Sequence, residues 1–427
     1  MRFVAIAITL LLGPRLFAQD IDKIINAAAV ERTERVLSSD EMRGRATFTP
    51  DIERAADYIE SRFKAAGLET LNGSDSYRQP FTMVRAALIS ATGSLDGEPL
   101  PEDHIVTISA SPDLSIDEKS GYAVYTMKAG SDFVPEILHY AHEKTNTLVL
   151  VDTSFAKNFP RLARFTHQQF KSDRSVIFIL TSALPTHYSI HVRQEVTESK
   201  LANVVGILPG TTRKNEIVIF SGHYDHLGVG KPDAKGDSIY NGANDDASGT
   251  TAVMMLADYF AKKKNNERTL VFAAFTAEEI GEFGSQYFSE QFDPAAVVAM
   301  FNIEMIGTES KWGINSAYIT GYERSDMGEI LQKNLKGSGF TFYPDPYPSQ
   351  QLFYRSDNAT LARQEVPAHT ISTSKMDSEK YYHTQGDEIG TLDMDNMARI
   401  IKSIALSSTS IVAGKDTPSR VDTKQLR

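Results

Sequence analysis

A chain of 427 residues that is 41% hydrophobic can bury a substantial core and is long for one domain, so one large domain carrying an insertion is the simplest organisation. Its formal net charge of -11 disfavours nucleic-acid backbones and anionic membranes as main partners. It has no cysteine, which excludes disulfides and a lipid-anchored Cys and leaves His, Asp and Glu as the possible zinc ligands.

In chain order, Met1 and Arg2 precede an apolar run over 3–12 and a Gly13-Pro14 break, the layout of a secretory signal over residues 1–18 with cleavage between Ala18 and Gln19. The run falls well below the ~20 residues needed to span a bilayer. The expectation is export to the periplasm or the external medium, with no stable membrane insertion after cleavage. Residues 20–37 are helical in pattern. A second helix opens at Thr49-Pro50, with Ile52, Ala55, Ala56, Ile59 and Phe63 on one face and Gly67 at its end.

From about 84 to 198 the character changes to short β-like runs, at 122–127, 147–151 and 175–180, with one amphipathic helix over 135–142. This stretch reads as an inserted domain within a main domain made of 19–83 and 199–415. Its histidines, His104, His139, His142, His167, His187 and His191, lack the carboxylate spacing of a metal site and read as surface or hydrogen-bonded residues. Beyond residue 201, apolar strand runs (216–220, 270–275, 298–304, 368–373) alternate with helical ones (246–262, 284–291, 327–335, 393–408), which implies an α/β sheet covered on both faces. Asp393 reads as the N-cap of the last helix. The polar tail 416–427 is expected to be flexible. The segment 340–355, rich in Tyr, Phe and Pro, reads either as a pocket wall or as a cover over the core.

The chemistry-bearing residues sit where strands end. His223 follows the apolar run 217–220, Asp245 precedes a helix, Glu278 and Glu279 close a buried strand, Glu304 ends another, and His383 stands between a strand and the C-terminal helix. Taken singly, the acids read equally as surface or salt-bridge residues and His383 as a loop histidine. Together they bring imidazoles and carboxylates to one rim of the sheet, an inventory that suits two zinc ions bridged by Asp245.

The motifs Gly222-His-Tyr-Asp-His226, Asn244-Asp-Asp-Ala-Ser-Gly249, Ala277-Glu-Glu279, Asn302-Ile-Glu-Met-Ile-Gly307 and Tyr382-His-Thr384 with Asp387 resemble those of the M28 zinc exopeptidases, the group of secreted bacterial leucyl and related aminopeptidases. The resemblance runs over about 201–413, and residues 37–67 are similar to the family's N-terminal lead-in. It implies a three-layer α/β/α zinc-exopeptidase fold with a mixed, mostly parallel sheet, plus a β-rich insert at 84–198 where many such enzymes carry a protease-associated domain. It further implies one zinc on His223 and Glu304, a second on Glu279 and His383, Asp245 bridging, and a cis peptide between Asp245 and Asp246. By the same resemblance Glu278 is the general base, Asp225 orients His223, and Tyr382 faces the oxyanion.

The implied activity is removal of N-terminal residues from peptides. Glu304 departs from the Asp most often found at its place, and in a related clan that choice tracks with amino- or carboxy-terminal specificity, so a carboxypeptidase or dipeptidase of the same fold is the second reading. The complete bridging motif argues against a single-zinc glutaminyl cyclase-like enzyme. The presence of every ligand and the base argues against a non-catalytic binding protein.

Overall fold

The computed structural model describes residues 21–141, 143, 145–165 and 168–426; the expected signal and its cleavage point, like His142 and His167, lie outside them. Two compact units emerge, one of residues up to Gln79 together with those from Ala202 onward, the other Pro80–Leu201.

In the first unit the helix expected over 20–37 is interrupted. Asn26 adopts extended backbone and accepts the N–H of Ala29 at 3.0 Å, so it caps α1 (Ala27–Leu37) where an unbroken helix was expected. Helix α2 (Pro50–Ala66) starts on Thr49, whose hydroxyl accepts from the Asp51 N–H, and stops at Gly67 with φ 78. The sheet is built from β1 (Tyr188–Leu208, through its last residues), β2 (Arg213–His223), β3 (Arg268–Phe275), β4 (Val297–Ile303), β5 (Ser316–Ile319), β6 (Thr341–Pro344) and β7 (Ala368–Ser372), in the order β6-β5-β7-β4-β2-β3-β1. Strands β2, β3, β4 and β7 are mutually parallel, β5 and β6 pair with each other in parallel but run against β7, and β1 runs against β3.

Alternation along each strand divides the core. Val218 and Phe220 of β2 face α1, α2, α3 (Ser248–Lys263) and α6 (Met394–Ser407), while Ile219 faces α4 (Phe283–Ser289) and α5 (Asn358–Ala362). Phe220 lies at the centre, stacked on Phe260, Phe272 and Phe301 with centroids 4.9 to 5.6 Å apart. Each such buried ring contributes about 1.5–3 kcal/mol. The result is a three-layer α/β/α arrangement whose four parallel strands deliver their C-terminal ends to one rim.

The expected fraying of residues 416–427 is corrected over the described part. The fully buried guanidinium of Arg268 needs acceptors and finds them in the Asp416 carbonyl at 2.7 Å and the Thr417 hydroxyl at 2.6 Å. Arg420 donates to the Val297 carbonyl at 2.7 Å, and Val421 is buried.

In the second unit the strands Ala123–Met127, Thr147–Val151 and Ser175–Leu180 run parallel, with Ile105–Ser109 antiparallel at the edge. Val149 and Val151 pack with Ile137 and Ala141 of the helix Phe133–Ala141, and Leu148 and Leu150 with Ile116, Ile190 and Val192 on the opposite face. His139 and His187 are exposed and His191 is half-buried, beside Glu143, Glu118 and Ser115. Among the described residues, no helix is long and apolar enough to cross a membrane.

Candidate metal centre

The rim of the first unit gathers side chains from one strand end and the segments that follow the strands. His223 is the last residue of β2, Glu278 and Glu279 follow β3, Glu304 follows β4, and His383 stands in the loop after β7 with φ 56, a left-handed conformation uncommon outside glycine. Asp245 comes from a tight turn, Ala243–Ala247, that runs into α3, and its peptide bond to Asp246 is cis.

Buried carboxylates hold that turn. Asp246 accepts the N–H groups of His223 at 3.2 Å and of Gly249 and Met305 at 3.0 Å, which ties the end of β2, the start of α3 and the loop after β4 to one side chain. Gly249 is required there, since a Cβ would stand 2.0 Å from the Ile303 carbonyl oxygen and 2.4 Å from the Asp246 carboxylate. Asp387 accepts the N–H groups of Asn244 and Asp245. Arg45, fully buried, donates to the carbonyls of Tyr224, Leu37, Asn241 and Gly242 at 2.6 to 2.9 Å, which fixes the loop on the turn's other side.

Asp245 divides its two oxygens between two histidines. Oδ1 lies 3.2 Å from His223 Nε2, which in turn is 3.2 Å from Glu304 Oε1. Oδ2 lies 3.2 Å from His383 Nε2, which is 3.1 Å from Glu279 Oε2. The His383 nitrogen is buried and makes no hydrogen bond of acceptable geometry to either neighbour. Two ligand atoms sharing a tetrahedral zinc at about 2.0–2.2 Å stand roughly 3.3 Å apart, so all four separations fit imidazole and carboxylate ligands on common ions. The charges agree. Burial lowers the His383 imidazole, but Asp245 and Glu279 outweigh it and push it up to about 10, so the carboxylates call for positive charge at that nitrogen.

Glu278 lies beside this set with Oε2 3.9 Å from His223 Nε2, and burial together with the charges of Glu304, Asp357 and Glu279 raises its carboxyl well above the usual range. Glu304 receives the Ser356 hydroxyl on Oε2 at 2.6 Å, which leaves Oε1 turned to His223. Tyr382 stacks on His383 with centroids 3.9 Å apart. Burial and the surrounding carboxylates raise its phenol, so the hydroxyl stays protonated and can donate.

All five expected ligands, Glu278 and Tyr382 are brought together. Asp225 acts differently from expectation. His223 Nδ1 meets its backbone carbonyl at 3.1 Å, while its carboxylate lies 3.8 Å away and accepts the N–H groups of Glu278 at 3.2 Å and Glu279 at 3.4 Å. Its side chain is drawn to the two backbone donors of the acid pair, and the carbonyl fixes the tautomer instead. Sequence reasoning gave no role to His226, Arg45, Asp246 or Ser356. His226, three residues after His223 in the same motif, was the one with a visible signal: its Nδ1 is 2.7 Å from Glu279 Oε1. Among the described residues, the groups able to hold a metal are His223, Asp245 and Glu304, and His226, Asp245 and Glu279.

A pocket opens against these side chains, walled by Met305, Tyr318, Leu352, Arg355, Met376 and Tyr382. Of the segment 340–355, Leu352 and Arg355 line it, whereas Phe340, Phe342 and Phe353 pack into the core, so both expectations for that segment hold in part.

Residues 203–407 match the model described as Peptidase family M28. The chain is 27% identical over 215 residues to Leucine aminopeptidase 1 of Ajellomyces capsulatus (strain H88), covering 47% of this chain and 53% of that protein. It is 37% identical over 109 residues to a Probable zinc metalloprotease of Pyrenophora teres f. teres (strain 0-1), covering 25% of this chain and 23% of that protein. It therefore spans a quarter to a half of the length of these curated relatives. The solved aminopeptidase from Aneurinibacillus sp. strain AM-1 superposes with a TM-score of 0.54 at 19% identity, over 96% of this chain and 98% of that one, a likeness of fold.

Proposed function

We propose that this chain, whose residues 203–407 match the Peptidase family M28 model, is a two-zinc exopeptidase that removes N-terminal residues from peptides. The observation that carries the reading is the division of Asp245, one oxygen toward His223 and Glu304 and the other toward His383 and Glu279. These five residues would hold the metal, and two zinc ions so held supply acidification of a water and polarisation of a substrate carbonyl. Glu278, beside His223 and outside the two ligand sets, accepts the water's proton and passes it to the leaving amine, the usual task of a positioned carboxylate. The Tyr382 hydroxyl donates to the developing oxyanion. Met305, Leu352 and Met376 form apolar pocket walls that would receive a substrate side chain. Export to the periplasm or medium is part of the proposal and rests on residues 1–18.

A second reading, a carboxypeptidase or dipeptidase, is favoured by Glu304 and by Arg355 in the pocket lining, a cation suited to a substrate carboxylate. The two are separated by incubating an unblocked mixed-sequence peptide with zinc-loaded protein and following the products by mass spectrometry. A ladder shortened from the amino end, suppressed by N-acetylation, is expected. Shortening from the carboxyl end would reverse the polarity, and a protein that binds one zinc equivalent would bring back the single-zinc enzyme.

A further inference from the structure

We infer that His226 is a positioning residue for the second metal position, gripping Glu279 by Oε1 so that Oε2 stays turned toward His383. The inference rests on the two-zinc reading. His226 Nδ1 is 2.7 Å from Glu279 Oε1, while Glu279 Oε2 is 3.1 Å from His383 Nε2, so the two imidazoles hold opposite oxygens of one carboxylate. The 2.7 Å separation is a charge-assisted hydrogen bond. It is shorter than the roughly 3.3 Å between two ligands of one tetrahedral zinc, which assigns His226 to support of the ligand and not to the metal itself. Its distance to Asp245 Oδ2, 3.9 Å, is long for a shared ion.

The tautomer agrees. His226 Nε2 is buried with no hydrogen-bond partner, so a proton there would be an orphaned donor, whereas a proton on Nδ1 is satisfied by Glu279. The ring is also held by its surroundings. The side chain is fully buried, its edge packs on the His383 ring at 69° with centroids 5.7 Å apart, and Gly242, at φ 57, lies so close that a Cβ there would stand 2.5 Å from the imidazole. Arg45 locks the Gly242 carbonyl and through its own carbonyl accepts the His226 N–H at 3.3 Å, so it holds both the His226 backbone and the glycine against which the ring rests.

The test compares His226→Leu, which keeps bulk without a donor, with His226→Asn, whose amide nitrogen falls near the place of Nδ1. Zinc affinity is measured by competition with a chromophoric chelator on folded protein. Wild type should bind two equivalents. His226→Leu should weaken one of them by about 10–100-fold and leave the other, and His226→Asn should recover most of that loss. Should the Leu variant not fold, His226→Gln, with its nitrogen displaced toward the place of Nε2, replaces it. Unchanged affinity in the donor-less variant would overturn the inference. So would outright loss of one equivalent in both variants, since His226 would then be a ligand. A wild type that binds one equivalent would instead fail the two-zinc reading beneath it.

Discussion

Asp387 Oδ2 accepts the backbone N–H of Asp245 at 3.0 Å, and Oδ1 accepts that of Asn244 at 2.8 Å. The residue that divides its carboxylate between two histidines is therefore held at its backbone by a second, buried carboxylate from the loop before the last helix. Asp387→Asn replaces one acceptor oxygen by an NH2 group and leaves a backbone donor facing a donor. Metal affinity should fall about 10–100-fold, with a loss of stability of about 1–3 kcal/mol. Chelator competition and denaturant unfolding check the two effects separately, and unchanged affinity would remove Asp387 from the support of the site.

Glu278→Gln should retain both zinc equivalents, because Glu278 lies outside the two His–carboxylate sets, while kcat falls about 10²–10⁴-fold through loss of the proton acceptor. Zinc content and steady-state rates on the same preparation decide it. Near-normal turnover would assign the proton to another group.

Gly249→Ala would press a methyl group against the Ile303 carbonyl and the Asp246 carboxylate, both within 2.5 Å of the new Cβ. The Ile303 carbonyl ends β4 and the Asp246 carboxylate is held by three N–H groups, so a destabilisation of about 1–3 kcal/mol is expected, accompanied by weaker zinc binding as the three N–H contacts of Asp246 distort. A variant with wild-type unfolding and metal content would show that the turn can relax.

His369 is fully buried between the Thr320 carbonyl, at 2.9 Å from Nδ1, and the Ser325 hydroxyl, at 2.7 Å from Nε2, and burial lowers its imidazole from 6.5 to about 4. Between those values the unfolded chain binds a proton that the folded chain refuses. The stability is thus whole above pH 6.5 and diminishes as pH falls toward 4, by about 3 kcal/mol if the full shift is realised. Denaturant unfolding from pH 7 to 4.5 should show this slope in wild type and a shallower one in His369→Asn. Equal slopes would place the acid sensitivity elsewhere.

Two strands of the second unit, Thr147–Val151 and Ser175–Leu180, were legible to the residue, because short apolar runs rich in Val and Ile and bounded by polar residues are too short for helices. The cap at Asp393, which accepts the Asn396 N–H at 2.9 Å, was equally plain. Strands β5 and β6 went unseen: four residues each, one ending in Pro344, they are strands by virtue of their neighbours. The tail was misread for the same reason, since its polarity gave no sign that a buried arginine on β3 requires its carbonyls.

The candidate ligands stood out in the chain because each lies beside a strand or helix end and zinc chemistry limits the residue types, while their assignment to two ions came from the resemblance to the M28 exopeptidases. Their places at strand and helix ends therefore determined that these side chains converge on one rim of the sheet. What tertiary structure alone decided is how they are aimed. Asp246, Asp387, Arg45 and Ser356 each act through a hydrogen bond to a partner at least 23 residues distant, up to 197, and Asp225 serves His223 by its carbonyl instead of its carboxylate. A buried charge must take whatever donors or acceptors the packed backbone presents to it, and that set exists only once the chain has folded.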